Sequence, residues 1–221
     1  MKSVTSVFLF VTILSLAIAL PSLSTATPQG ETIVTSAADS GPGTLRQALL
    51  DAQDGDTITF DAAVFAPTAP ITISVTSELP QILVSDLTID ASSAGVILDG
   101  SNLTGDWEPG LQIVSSNGNT IRGLQISNFS GRAIDISGDA QNNVIGGDRS
   151  IGAGPFGQGN LLVHNGNGIV LSTAGTTLNT ITGNLIGTDA AGTAALGNQT
   201  GVWIGEGANG NTIGPDNVIA F

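Results

Sequence analysis

From residue 110 onward the chain repeats itself, and self-similarity of this kind constrains a fold more tightly than any local propensity. Gly110-Leu111-Gln112-Ile113, Ala133-Ile134-Asp135-Ile136, Gly168-Ile169-Val170-Leu171 and Gly201-Val202-Trp203-Ile204 all read small, apolar, variable, apolar. Inside each unit a second element runs Asn, any residue, Ile, any residue, Gly. It recurs as Asn119 to Gly123, Asn143 to Gly147 and Asn179 to Gly183, with Pro215 replacing the glycine in Asn211 to Pro215. A third follows in Leu124-Gln125-Ile126, Asn160-Leu161-Leu162, Asn184-Leu185-Ile186 and Asn217-Val218-Ile219. Short strands recurring in threes predict a coiled, parallel sheet that buries one face of every strand.

No single unit buries enough apolar side chain to offset the backbone entropy of ordering it. Units stacked at about 4.8 Å solve this, since each strand pairs with its equivalents on both sides and the inward residues merge into one core. Asparagines recurring at one position then hydrogen-bond along the stack as an amide ladder, which gives Asn119, Asn143, Asn179 and Asn211 a structural task. Composition agrees, because 30 glycines supply turns while 41% hydrophobic residues leave ample material for a core. Neither a disordered chain nor a flexible linker has that balance.

Ahead of the repeats, Lys2, the apolar run Val7 to Leu20, the break at Pro21 and the small residues Ser24-Thr25-Ala26 have the layout of a cleaved secretory signal, residues 1–26. The run is too short for a bilayer span, which takes about 20 residues. Residues 27–70 read as an N-terminal cap. Within it Thr44-Leu45-Arg46-Gln47 has the form of a capping box, and Leu45, Ala48, Leu49 and Ala52 share one face, predicting an amphipathic helix over 44–53. Asp54-Gly55-Asp56 stops it, after which Thr57 to Phe60 and Ile71 to Val75 alternate as strands. The repeats occupy 71–221, with turns expected to begin near Ile71, Leu87, Leu111, Ile134, Ile169 and Val202.

Two segments carry a family resemblance: Gly43-Thr44-Leu45-Arg46-Gln47-Ala48-Leu49 with Gly55-Asp56-Thr57-Ile58 in the cap, and Asn179-Thr180-Ile181-Thr182-Gly183-Asn184-Leu185-Ile186-Gly187-Thr188-Asp189 with Gly192-Thr193-Ala194-Ala195-Leu196-Gly197-Asn198 in the repeats. On these the chain resembles bacterial right-handed parallel β-helix repeat proteins of the pectate-lyase-like superfamily. The resemblance implies an all-β, right-handed parallel β-helix (solenoid) of about six turns, closed at its N-terminal end by the short helix. Such proteins are usually longer, and Phe221 falls inside a repeat. The expectation is of a fragment of a longer protein that carries further repeats or a C-terminal anchor.

The same superfamily includes polysaccharide lyases, hydrolases and epimerases, so activity must be argued from residues. A formal net charge of −13 with five Lys and Arg cannot build a phosphate-tracking groove, which excludes nucleic acid as a partner. Without cysteine there is no disulfide framework or thiolate site. Lyase chemistry in this superfamily uses a basic residue and a cation, and past Lys2 the chain offers only Arg46, Arg122, Arg132, Arg149 and His164. His164 lies in the polar turn Val163 to Gly168. Inverting hydrolysis instead needs two carboxylates about 6.5–9.5 Å apart. Asp135 shares its outward column with Gln112, Val170 and Trp203, and Asp139 and Asp148 sit in nearby turns where aspartate is common for local hydrogen bonding. Asp135, Asp139, Asp148 and His164 are therefore the catalytic candidates, none within a recognised motif.

A Ca²⁺ site in Asp51-Ala52-Gln53-Asp54-Gly55-Asp56 fails the EF-hand pattern, because Gly55 at position six puts Leu50 at position one. No cofactor is expected. Gly152 to Gly157 matches a dinucleotide fingerprint in letters alone, lacking the following helix. The excursions 146–159 and 187–199 are rich in Gly, Ala and Thr, which suggests padding. Trp203, with its indole outward, is the candidate for stacking on a sugar ring. The leading expectation is a secreted or cell-surface, non-catalytic scaffold or adhesion module that contacts polysaccharide or surface glycan. The alternative is a polysaccharide lyase or glycoside hydrolase.

Overall fold

The computed structural model of the protein describes residues 30–220. The expected leader, 1–26, lies outside the described residues. In chain order the first elements are β1 (Glu31–Val34), α1 (Leu45–Asp51), β2 (Thr57–Phe60), β3 (Ile71–Ser74), β4 (Thr88–Asp90) and β5 (Val96–Asp99). The repeats follow with β6 (Leu111–Val114), β7 (Thr120–Arg122), β8 (Leu124–Ser127), β9 (Arg132–Ser137), β10 (Val144–Gly146) and β11 (Leu161–Val163). The last are β12 (Asn167–Leu171), β13 (Thr180–Thr182), β14 (Leu185–Ile186), β15 (Thr200–Ile204), β16 (Thr212–Ile213) and β17 (Val218–Ile219).

These strands form three sheets, A (β1-β2-β4-β7-β10-β13-β16), B (β3-β5-β8-β11-β14-β17) and C (β6-β9-β12-β15), and within each all neighbours are parallel. From β6 onward each successive trio contributes one strand to C, one to A and one to B. The fold is thus all-β and all-parallel, compatible with a β-helix-like solenoid. Among the described residues no helix is long and apolar enough to cross a membrane.

Register explains the recurrence of isoleucine. In sheet A, Ile58, Ile89, Ile121, Ile145, Ile181 and Ile213 are directly paired in one column. Sheet B runs Ile73, Leu98, Ile126, Leu162, Ile186 and Ile219, and sheet C stacks Leu111 on Ile134, Ile169 and Val202. β-branched side chains suit this setting, because their restricted χ1 costs little where the pleated surface already fixes it. One hydrophobic core results, continuous from Val34 to Ile186.

The residues around the Asn-x-Ile-x-Gly element divide the work. A left-handed residue precedes each asparagine: Gly118, Asn142, Leu178 and Gly210, with φ of 71°, 58°, 60° and 63°. The asparagine then bonds to its counterpart in the next level. Asn119 N–H donates to Asn143 Oδ1 at 2.8 Å, Asn143 N–H and Nδ2 donate to Asn179 Oδ1 at 2.9 Å each, and Asn179 N–H and Nδ2 donate to Asn211 Oδ1 at 3.0 and 2.9 Å. Two further columns stand at the entrances to sheet B, Asn160-Asn184-Asn217, and to the turn before sheet C, Asn165-Asn198. The closing glycine makes the corner between sheets A and B. At Gly183, φ is +67° and a Cβ would fall on the carbonyl oxygen of Gly147.

Three expectations need correction. The helix is shorter than 44–53, because Ala52 is already extended (ψ 142°) and ends it at Asp51. Thr44 Oγ1 accepts from Gln47 N–H at 3.3 Å, but the Gln47 side chain donates to Asp51 Oδ2, so the capping box is only half formed. The turn starts are not equivalent: Leu111, Ile134, Ile169 and Val202 lie in sheet C, whereas Ile71 opens β3 in sheet B and Leu87 precedes β4 in sheet A. The cause is the segment between β3 and β4, which reaches β6 through a single bridge, Ile82 to Ile113. The excursions, finally, are not padding. Phe156 from one and Leu196 from the other cover Leu161, Val163 and Leu185 on the outward face of sheet B, forming a second apolar cluster.

Candidate functional site

With β11 and β14 of sheet B covered from outside, sheet C presents its outward side chains. Register aligns Gln112, Asp135, Val170 and Trp203 in one column. At the strand entrances Arg132, Asn167 and Thr200 form a second column. Trp107, from the loop between β5 and β6, closes the far side. Between them runs a groove of about 300 Å³ lined by Trp107, Arg132, Asn167, Val170, Thr200 and Trp203, at the lower end of the size range of ligand sites.

Local structure holds both indoles outward. Ser130 Oγ accepts from Glu108 N–H at 3.0 Å and donates to Gly105 O at 3.0 Å, while Gly131 N–H donates to Glu108 O at 3.0 Å. These bonds tie the loop to the entrance of β9 and leave Trp107, itself left-handed (φ 65°), 67% exposed. Trp203 is 39% exposed and lies over Gly205, where a Cβ would collide with the ring. Trp107 escaped sequence reasoning because it belongs to no strand period. The available signal was an indole in a polar Gly-Asp-Trp-Glu-Pro-Gly turn, where no core exists to bury it.

Behind the groove, Arg132 Nη1 stands 3.3 Å from Asp135 Oδ2, with the arginine side chain 40% and the aspartate 5% exposed. Ser137 Oγ donates to Asp135 Oδ2 at 3.4 Å, and Oδ1 is buried with no partner. Burial pushes the Asp135 carboxyl above its ordinary 3.8, with nearby Glu206 adding to the shift, although Arg132 and Ser137 pull the other way. Since folded Asp135 keeps its proton to higher pH than the unfolded chain, its ionisation weakens the fold. That penalty is absent below the ordinary value and complete above the raised one. Urea midpoints of the protein and of Asp135→Asn should therefore diverge with pH only across this window, wild type losing ground as pH rises. Parallel curves would show that Asp135 titrates normally.

The other candidates lie apart from the groove. Asp139 is an exposed, left-handed turn residue (φ 65°), and His164 is likewise exposed at φ 57°. Asp148 Oδ1 accepts from Ser150 N–H at 2.8 Å and Ser150 Oγ at 2.7 Å, bonds that hold its carboxyl below the usual range. A carboxyl so held is a poor proton donor. The carboxylates of the run 51–56 already have partners: Asp51 accepts from the Gln47 side chain, Asp54 from Ser85 N–H at 2.7 Å, and Asp56 from Gly30 N–H and Gln53 N–H at 2.9 Å each. Among the described residues no three His, Cys, Asp or Glu side chains gather as metal ligands. A larger hollow of about 390 Å³ beside α1 is lined by Leu49, Leu50, Ala52, Leu83, Val84 and neighbours, with Gln81 its one polar side chain. It lacks the convergent polar groups that orient a ligand. No protein-family model and no curated protein matches the chain.

Proposed function

We propose that the chain is a right-handed parallel β-helix of about six turns that serves as a secreted or cell-surface scaffold or adhesion module, contacting glycans along sheet C without catalysing a reaction. The observation that carries this reading is the groove between Trp107 and Trp203, two exposed indoles flanking Arg132, Asn167 and Thr200. Indole faces stack on the apolar C–H faces of sugar rings, while guanidinium, amide and hydroxyl groups exchange hydrogen bonds with ring hydroxyls. Secretion is supported by the leader-like pattern of residues 1–26.

The test is a panel of polysaccharides assayed for binding and, in parallel, for new reducing ends and unsaturated uronates. Trp203→Ala should weaken binding by at least about tenfold while costing less stability than truncation of a fully buried aromatic, under about 3 kcal/mol, because the indole is partly exposed. Absence of binding across the panel would overturn the glycan reading. Turnover that disappears in Asp135→Asn would establish the hydrolase or lyase alternative instead, since Asp135 is the buried carboxyl nearest the groove's cation.

A further inference from the structure

Arg132 is the one cationic side chain lining the groove, and its charge is largely offset. Asp135 lies 3.3 Å away, almost wholly buried, and the exposed Glu206 just beyond β15 adds negative charge near the same carboxyl. The net charge of the chain, −13, adds a repulsive field for any polyanion that approaches. A uronate would need to compete with Asp135 for the guanidinium. A neutral sugar needs only the nitrogens that Asp135 leaves unengaged, together with Asn167, Thr200 and the two indole faces.

We infer that the groove selects uncharged glycans over uronate polymers, with Asp135 as the positioning residue that holds Arg132 and cancels its attraction for carboxylates. The inference rests on the glycan reading above. It also separates this groove from a site built for acidic polysaccharide, where an unpaired arginine would form bidentate bonds to carboxylate.

Intrinsic tryptophan fluorescence of the full chain, titrated at low salt with cellohexaose, xylohexaose, mannohexaose and hexagalacturonate, tests it. At least one neutral hexasaccharide should bind about tenfold or more tighter than hexagalacturonate. In Asp135→Asn the freed guanidinium should improve hexagalacturonate binding by about tenfold, a gain that disappears when Arg132→Gln is added. Glu206→Gln, at an exposed position, should give a smaller gain in the same direction and keeps the test available should Asp135→Asn fold poorly. A purely structural role for Asp135 would lower all affinities together and leave their ratio unchanged. Hexagalacturonate binding as well as the neutral sugars in wild type, or ratios unmoved in both variants, would overturn the inference. If those sugars still lost binding in Trp203→Ala, the glycan reading would stand. No response to any of the four sugars would bring down both.

Discussion

Asn179→Leu should cost roughly 2–6 kcal/mol of stability, because at about 1–3 kcal/mol apiece it strands at least two buried polar groups. Oδ1 of Asn179 accepts from both Asn143 N–H and Asn143 Nδ2, and leucine offers neither an acceptor. Its Nδ2 donates at 2.9 Å to both Ala140 O and Asn211 Oδ1, so two acceptors lose a donor as well. Asn179 and Asn143 are fully buried, and water cannot take over these bonds without opening the coil. Leucine has asparagine's branching and heavy-atom count and is the better hydrophobe, so a lower urea midpoint would report the lost hydrogen bonds together with the extra bulk of its two methyl groups. Asn209→Leu, at an exposed turn where the amide bonds only to Gly207 O, should change stability by at most about 0.5 kcal/mol. An unchanged midpoint in Asn179→Leu would mean that the amide column contributes nothing.

Gly183→Ala should destabilise by roughly 2–5 kcal/mol, combining about 1–2 kcal/mol for a side chain in left-handed backbone with about 1–3 kcal/mol for overpacking. The added Cβ would meet the carbonyl oxygen of Gly147, a backbone atom in the preceding level that cannot swing aside. Gly192→Ala separates the two contributions. Its φ is +72°, close to that of Gly183, but the nearest neighbour of a Cβ there is Val218 Cγ1 at 3.7 Å, an ordinary contact. That variant should lose only about 1–2 kcal/mol. Equal losses at the two sites, by thermal or urea unfolding, would show that close packing of adjacent levels does not control the corner.

What the sequence makes legible is whatever repeats. Ile121, Ile145 and Ile181 recur at one offset from an asparagine because one column of the core demands them, and Gly123 and Gly183 recur because the preceding level leaves no room for a side chain. Where equivalence lapses, reading failed. The segment from Val75 to Leu87 pairs with sheet C through one bridge, Ile82 to Ile113, too little pairing to impose a period on its sequence. Phe156 and Leu196 are single apolar residues in Gly- and Ala-rich loops, and their value depends on the bare outer face of sheet B, which local sequence cannot reveal. Leu178 occupies a left-handed turn that Gly118, Asn142 and Gly210 occupy elsewhere, a role for which leucine gives no sign. The groove was half visible. Trp203 stood out through its strand alternation, whereas Trp107 and Arg132 reach it from a loop and a strand entrance that only the register of sheet C brings together.

The amide columns also have a grammar. In each of them the backbone N–H of one level meets the Oδ1 of the next level toward the C-terminus, while Nδ2 also donates back to a carbonyl of the level before, as Asn143 does to Ser116 O and Asn179 to Ala140 O. Linkage to both neighbours through the same atoms at every level makes the unit a cassette. Excising residues 143–178 would join Asn142, already left-handed like Leu178, to Asn179. Asn119 N–H, Leu124 N–H and Phe129 N–H, which now meet Asn143, Asn160 and Asn165, would find Asn179, Asn184 and Asn198 in their places, and β9 would abut β15. A deletion that is not a whole unit leaves donors facing carbons. Gene duplication or deletion can therefore lengthen or shorten such a stack of parallel strands in whole steps of about 4.8 Å, each new level recognised by the old ones without any change to their sequence.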